Sequence, residues 1–80
     1  MKARIVVTLK SGILDPQGKA IEHALGSLGI AGIASVRQGK VFDIELAGGD
    51  RARAEAALKE AADKLLANTV IENYAIEMKA

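Results

Sequence analysis

The chain has 80 residues, enough for one small domain whose buried fraction is limited, so association with other chains is an expected source of stability. Basic and acidic residues nearly cancel, at a formal net charge of +1, and are interspersed, which argues against a dedicated surface for nucleic acid or an acidic membrane. Cysteine is absent, removing disulfides, thiolate metal ligands and cysteine nucleophiles together.

Half of the residues are apolar, yet Phe42 and Tyr74 are the only aromatics, so the core has to be built from Ile, Val, Leu and Ala. The apolar run at the start is interrupted at Thr8 and Lys10, too early for the core of a signal peptide. No run reaches the roughly eighteen apolar residues of a membrane span, so a soluble cytoplasmic protein is expected.

In chain order, Ala3, Ile5, Val7 and Leu9 alternate with Arg4, Val6 and Thr8, the period of a strand with one face on a core. A connection over residues 10–14 leads to Asp15-Pro16. There Asp15 can accept from the free amides of a helix start, and Pro16 suits the first helical position. Ile21, Ala24, Leu25 and Leu28 recur at helical spacing, and Gly29 is placed to end the helix in a left-handed cap. Residues 30–37 are apolar and read as a strand, with an ambiguous register because of Gly32.

Gln38-Gly39 then reads as the tip of a tight hairpin, with Gly39 supplying a positive φ. Phe42, Ile44 and Leu46 alternate with Val41, Asp43 and Glu45 in the partner strand, which Ala47-Gly48-Gly49 breaks. Asp50 caps a second helix whose buried stripe is Ala54, Leu58, Ala61 and Leu65, with Glu55–Lys59 and Glu60–Lys64 as favourable four-apart pairs. Residues 67–69 close it, and a last strand over 70–78 puts Tyr74, Ile76 and Met78 on one side.

This β-α-β-β-α-β order over a single domain, residues 1–80, predicts an α+β, ferredoxin-like two-layer sandwich: a four-stranded antiparallel sheet with two helices on one face. The opposite face would carry Val6, Thr8, Val41 and Ala75 among charges, a surface suited to a second subunit.

Groups for catalysis do not converge. His23, the only histidine, lies off the apolar stripe of its helix and reads as solvated. Asp43 and Glu45 read as the wet side of a strand, and Gly48-Gly49-Asp50 as a turn and cap rather than a phosphate site. Neither a Walker-type loop nor a dinucleotide fingerprint occurs, and the open sheet face lacks the aromatic pair that stacks RNA bases. No catalytic residue, metal ligand or cofactor-binding residue is expected. Arg37 and Lys40 fit either a solvated turn or a docking point, and Lys10-Ser11-Gly12 a loop able to contact a partner.

Several stretches together resemble one family. Val7-Thr8-Leu9-Lys10, Ile13-Leu14-Asp15-Pro16-Gln17-Gly18, Ala20-Ile21, Val36-Arg37-Gln38-Gly39-Lys40, Leu65-Leu66-Ala67-Asn68 and Val70-Ile71-Glu72-Asn73-Tyr74 are similar in order and spacing to PurS. PurS is the small subunit of the multi-subunit phosphoribosylformylglycinamidine synthase of purine biosynthesis. Where the family pattern has proline before the last strand, this chain has Thr69.

The resemblance implies a non-catalytic assembly subunit of an ATP- and glutamine-dependent C–N ligase. Such a chain associates with itself as dimer or tetramer and bridges a synthetase and a glutaminase so that ammonia passes between them. ATP and magnesium then belong to the synthetase, and nucleic acid and membrane are not expected partners. Lys10, Gln17, Arg37, Gln38 and Lys40 become candidate partner contacts, with Asp15, Pro16, Gly18 and Gly39 as structural positions. A different class stays open: a small regulatory domain that binds a metabolite between subunits.

Overall fold

The cleanest alternation in the sequence becomes the centre of the sheet. In a computed structural model that describes residues 1–79, strand β1 (Lys2–Leu9) is flanked by β2 (Gly39–Glu45) and β3 (Glu72–Lys79), both antiparallel to it. Ala3, Ile5 and Val7 face one side and are buried, Ile5 and Val7 with the largest fully enclosed side chains. The register puts Phe42 and Ile76 opposite Ile5, and Ile44 and Met78 opposite Ala3, so one apolar layer crosses all three strands.

Helix α1 (Pro16–Ser27) joins β1 to β2, and helix α2 (Arg51–Ala61) joins β2 to β3. Asp50 starts α2 by accepting the Arg53 amide at 3.1 Å. Leu58 of α2 and Ala62 just after it close over the apolar layer. Beyond Ala61 the helix widens into a π turn (Ala62–Leu66), with the Ala67 N–H donating to the Ala62 carbonyl at 2.9 Å. The extra residue in this turn rotates the side chains at its end. Leu65, expected on the buried stripe, is 81% exposed, while Ala62 is buried and Leu66 packs against the core. Glu60 pairs with Lys64 as expected (2.7 Å), but Glu55 pairs with Arg51 one turn earlier (3.1 Å) rather than with Lys59.

Two expectations are corrected. The sheet has three strands among the described residues, not four, because residues 30–37 form no strand. Gly32, at φ +89°, breaks the extended backbone within that stretch, and the outer edge of β2, where a hairpin partner would lie, is left unpaired among the described residues. Gln38-Gly39 is therefore not a hairpin tip but the entrance to β2. Nor is Gly39 there for a positive φ: a Cβ at this position would lie 2.6 Å from the Val7 carbonyl oxygen, so glycine is needed where β2 closes on β1.

The second correction concerns the layers. Only α2 covers the sheet; α1 stands away from it, with Gly18 as its single buried residue. The expected pair of helices on one face is therefore absent within the described residues. The radius of gyration is 16.1 Å, against about 12 Å for a compact chain of this length, and the extents are 49 × 27 × 14 Å. Helix α1 is an arm. No helix among the described residues is long and apolar enough to cross a membrane.

Candidate functional site

Asp15 is the one buried charged residue among those described, at 5% exposure, and it sits where the arm leaves the body. Its backbone is extended (φ −113°, ψ 91°), as a residue before proline prefers, so its side chain folds back over the start of α1. Oδ1 accepts the Gly18 N–H at 3.0 Å, capping the helix. Oδ2 accepts the Gln38 N–H at 2.6 Å, from the residue that precedes β2. These two amides, Gln38 first, hold the carboxyl below the usual aspartate range. Burial opposes them, while the Arg37 charge and the Gln17 amide add to their effect.

Around this carboxylate the chain closes tightly. The Val36 carbonyl faces the Cα of Gly18 so closely that a Cβ would overlap it, and the same Cβ would stand 2.8 Å from Asp15 Oδ2. The Arg37 guanidinium donates to the Lys10 carbonyl at 3.1 Å, and the Lys10 N–H donates to the Ile71 carbonyl at 2.9 Å. Lys40 lies 3.8 Å from Glu72 across the end of β1, and Glu72 also accepts the Asn68 amide at 2.7 Å.

The structure thus brings Lys10, Asp15, Gly18, Arg37 and Gln38 into one joint, with Gly39 and Lys40 just beyond it. Pro16 and Gln17 are exposed on the first turn of α1, and of the two only the Gln17 backbone amide bears on the joint, through the Asp15 carboxylate. Sequence reasoning missed Val36, whose role is that of a backbone carbonyl and leaves no side-chain signal. It also missed the Glu72–Asn68 tie, made by residues of ordinary turn and strand composition. His23 is exposed, and Asp43 is engaged by Arg4 at 2.8 Å on the open sheet face. No group of three or more His, Cys, Asp or Glu among the described residues is placed to hold a metal ion.

What the joint carries is an apolar surface. Leu14, Ile21, Leu28, Ile30 and Ile33 are all exposed along the arm, Leu28 to 74%. The helix ends as its sequence predicts, with Gly29 left-handed and the Ile30 N–H returning to the Leu25 carbonyl at 3.1 Å. On the α1 stripe Leu25 is half-buried, while Ile21 and Leu28 are exposed, a larger apolar surface than a monomeric helix ordinarily leaves open.

Comparison with known proteins gives this geometry a context. The family model described as "PurS: Phosphoribosylformylglycinamidine (FGAM) synthase" matches residues 2–80. The chain is 47% identical over 77 residues to phosphoribosylformylglycinamidine synthase subunit PurS of Synechocystis sp., covering 96% of this chain and 77% of that protein. Its fold is similar to that of Bacillus subtilis PurS, with a TM-score of 0.88 and 42% identity over 99% of this chain and 98% of that one. It is also similar to a chain in the structure of PurLQS from Thermotoga maritima, with a TM-score of 0.87 and 30% identity over 95% and 93% of the two chains.

Proposed function

The chain belongs to the PurS family and is a subunit of phosphoribosylformylglycinamidine synthase in purine biosynthesis, and on that basis we propose that it serves the enzyme by assembly rather than by chemistry of its own. The observation that carries this reading is the arm. A helix whose apolar stripe is exposed, fixed at its base by a buried carboxylate, is suited to holding other chains in place.

In this reading the chain first associates with itself. The apolar positions of α1 and the following segment, Ile21, Leu28, Ile30 and Ile33, are identical on two copies and suit a two-fold interface, which would supply the burial a small elongated chain lacks. The assembled subunit then bridges the synthetase and the glutaminase, so that ammonia released from glutamine reaches the synthetase, where ATP and magnesium are held. The similarity to a chain of the Thermotoga maritima PurLQS structure supports a role beside two other chains. Lys10, Gln17, Arg37, Gln38 and Lys40, grouped at or near the base of the arm, are the side chains assigned to those contacts. The site of action is the cytoplasm, with the rest of the pathway.

The test is reconstitution. With synthetase and glutaminase present, adding the chain is expected to raise amidation from glutamine and to leave amidation from free ammonia unchanged. Equal rates from glutamine with and without the chain would overturn the reading.

A further inference from the structure

Among the described residues no strand or other helix packs closely over α1, yet an arm is useful to an assembly only if it points in a fixed direction. Two connections tie it to the body, residues 10–15 before it and residues 28–38 after it. Both contain glycines in the left-handed region, Gly12 in the first and Gly29 and Gly32 in the second, so neither connection is stiff by itself. What joins them is a short set of contacts at the helix base. Asp15, from the first connection, binds the amide of Gln38, from the second. Arg37, from the second, binds the carbonyl of Lys10, from the first.

Comparison with Asp50 isolates what is special about Asp15. Both cap a helix through one oxygen, at 3.1 Å to Arg53 and 3.0 Å to Gly18. Asp50 is exposed and its carboxylate accepts nothing further among the described hydrogen bonds, whereas Asp15 is buried and spends its second oxygen on a residue 23 positions away. Capping requires neither the burial nor the second bond.

We propose that Asp15 is a positioning residue whose carboxylate clamps the start of α1 to the chain entering β2, and so sets the direction in which the apolar face of the arm meets a second copy of this chain. This rests on the self-association reading above.

The absence of cysteine allows clean spin labelling. Labels at Ser27→Cys on the arm and Asn73→Cys on β3, diluted with unlabelled chain, report the arm's direction as a distance distribution within one molecule. The intact chain should give one narrow distribution. Asp15→Ser keeps a cap for Gly18 but is too short for Gln38. It should broaden the distribution and weaken self-association by on the order of tenfold. Asp15→Asn, a milder change that puts an amide where one acceptor was, should do the same to a smaller degree. Asp50→Ser should change neither readout. Asp15 variants with the original width and the original dissociation constant would overturn the proposal, whatever their melting temperatures. A chain that is monomeric at every concentration would overturn the self-association reading instead. The distance distribution would then decide the clamp alone, broadening supporting it and an unchanged width sinking it.

Discussion

Strand β1 and helix α1 advertise themselves in the same way, by apolar residues at the period of their own geometry, and the structure treats them in opposite fashion. The apolar face of β1 is enclosed by β2, β3 and α2, with Ile5 fully buried. The apolar stripe of α1 is left open, with Ile21 at 39% exposure. Periodicity says which face of an element needs cover, and is silent on whether the cover comes from the same chain. Among the described residues the body covers its own apolar face, and the arm does not.

The sharpest test of that contrast deletes atoms from the body. Ile5→Ala should cost about 2–5 kcal/mol, read as a lower urea midpoint, because a large side chain leaves a fully buried site. A loss as small as that from an exposed position would mean the body is not the folding unit. Next comes the joint. Gly18→Ala should cost about 1–3 kcal/mol through overlap with the Val36 carbonyl, although alanine favours a helix on its own. A stabilised variant would show that the joint yields.

Smaller is the effect of proline at the turn before β3. Thr69 is exposed, and the turn is held by Asn68, whose carbonyl accepts the Ile71 and Glu72 amides at 3.0 and 2.7 Å. Thr69→Pro should therefore add about 0.4–1 kcal/mol by restricting the unfolded chain. At the bottom of the scale, Leu28→Glu should change the stability of the dilute chain by no more than about 0.5 kcal/mol, since its side chain covers nothing there.

The joint also has a pH signature. The folded carboxyl of Asp15 is held below its ordinary range, so its contribution to stability is complete above the ordinary aspartate pKa of about 4 and is lost as pH falls through the folded value. Asp43, held down by Arg4, behaves in the same direction, so the whole protein weakens in acid. The difference between the wild type and Asp15→Asn isolates the clamp. It should be constant near neutrality and shrink below pH about 4. A gap unchanged by acid would rule out the carboxylate as the source of the joint's stability.

The elements that were legible in sequence are those whose signals are local. The alternation in β1, the Asp15-Pro16 start, the Gly29 stop and the Asp50 cap each depend on a few neighbouring residues, and each holds. Residues 30–37 carry apolar side chains suited to a strand, but Gly32 turns into the left-handed region in their midst, and the outer edge of β2, where they would pair, stays open among the described residues. Leu65 was misread because a π turn changes the period after Ala62, and no local composition marks that. Gly39 was recognised as necessary for the wrong reason: its constraint is the Val7 carbonyl across the sheet, a contact between residues 32 positions apart. The candidate site was legible as a set of names, while the bond from Asp15 to Gln38 that makes it a joint was not.

Sedimentation equilibrium across the micromolar range, on the wild-type chain and on Leu28→Glu, decides whether the arm is an interface. The wild type is expected to sediment as a multiple of its 8.4 kDa mass and the variant as the monomer. A wild-type chain that stays at 8.4 kDa throughout, or a Leu28→Glu variant that assembles as the wild type does, would contradict an arm built for self-association.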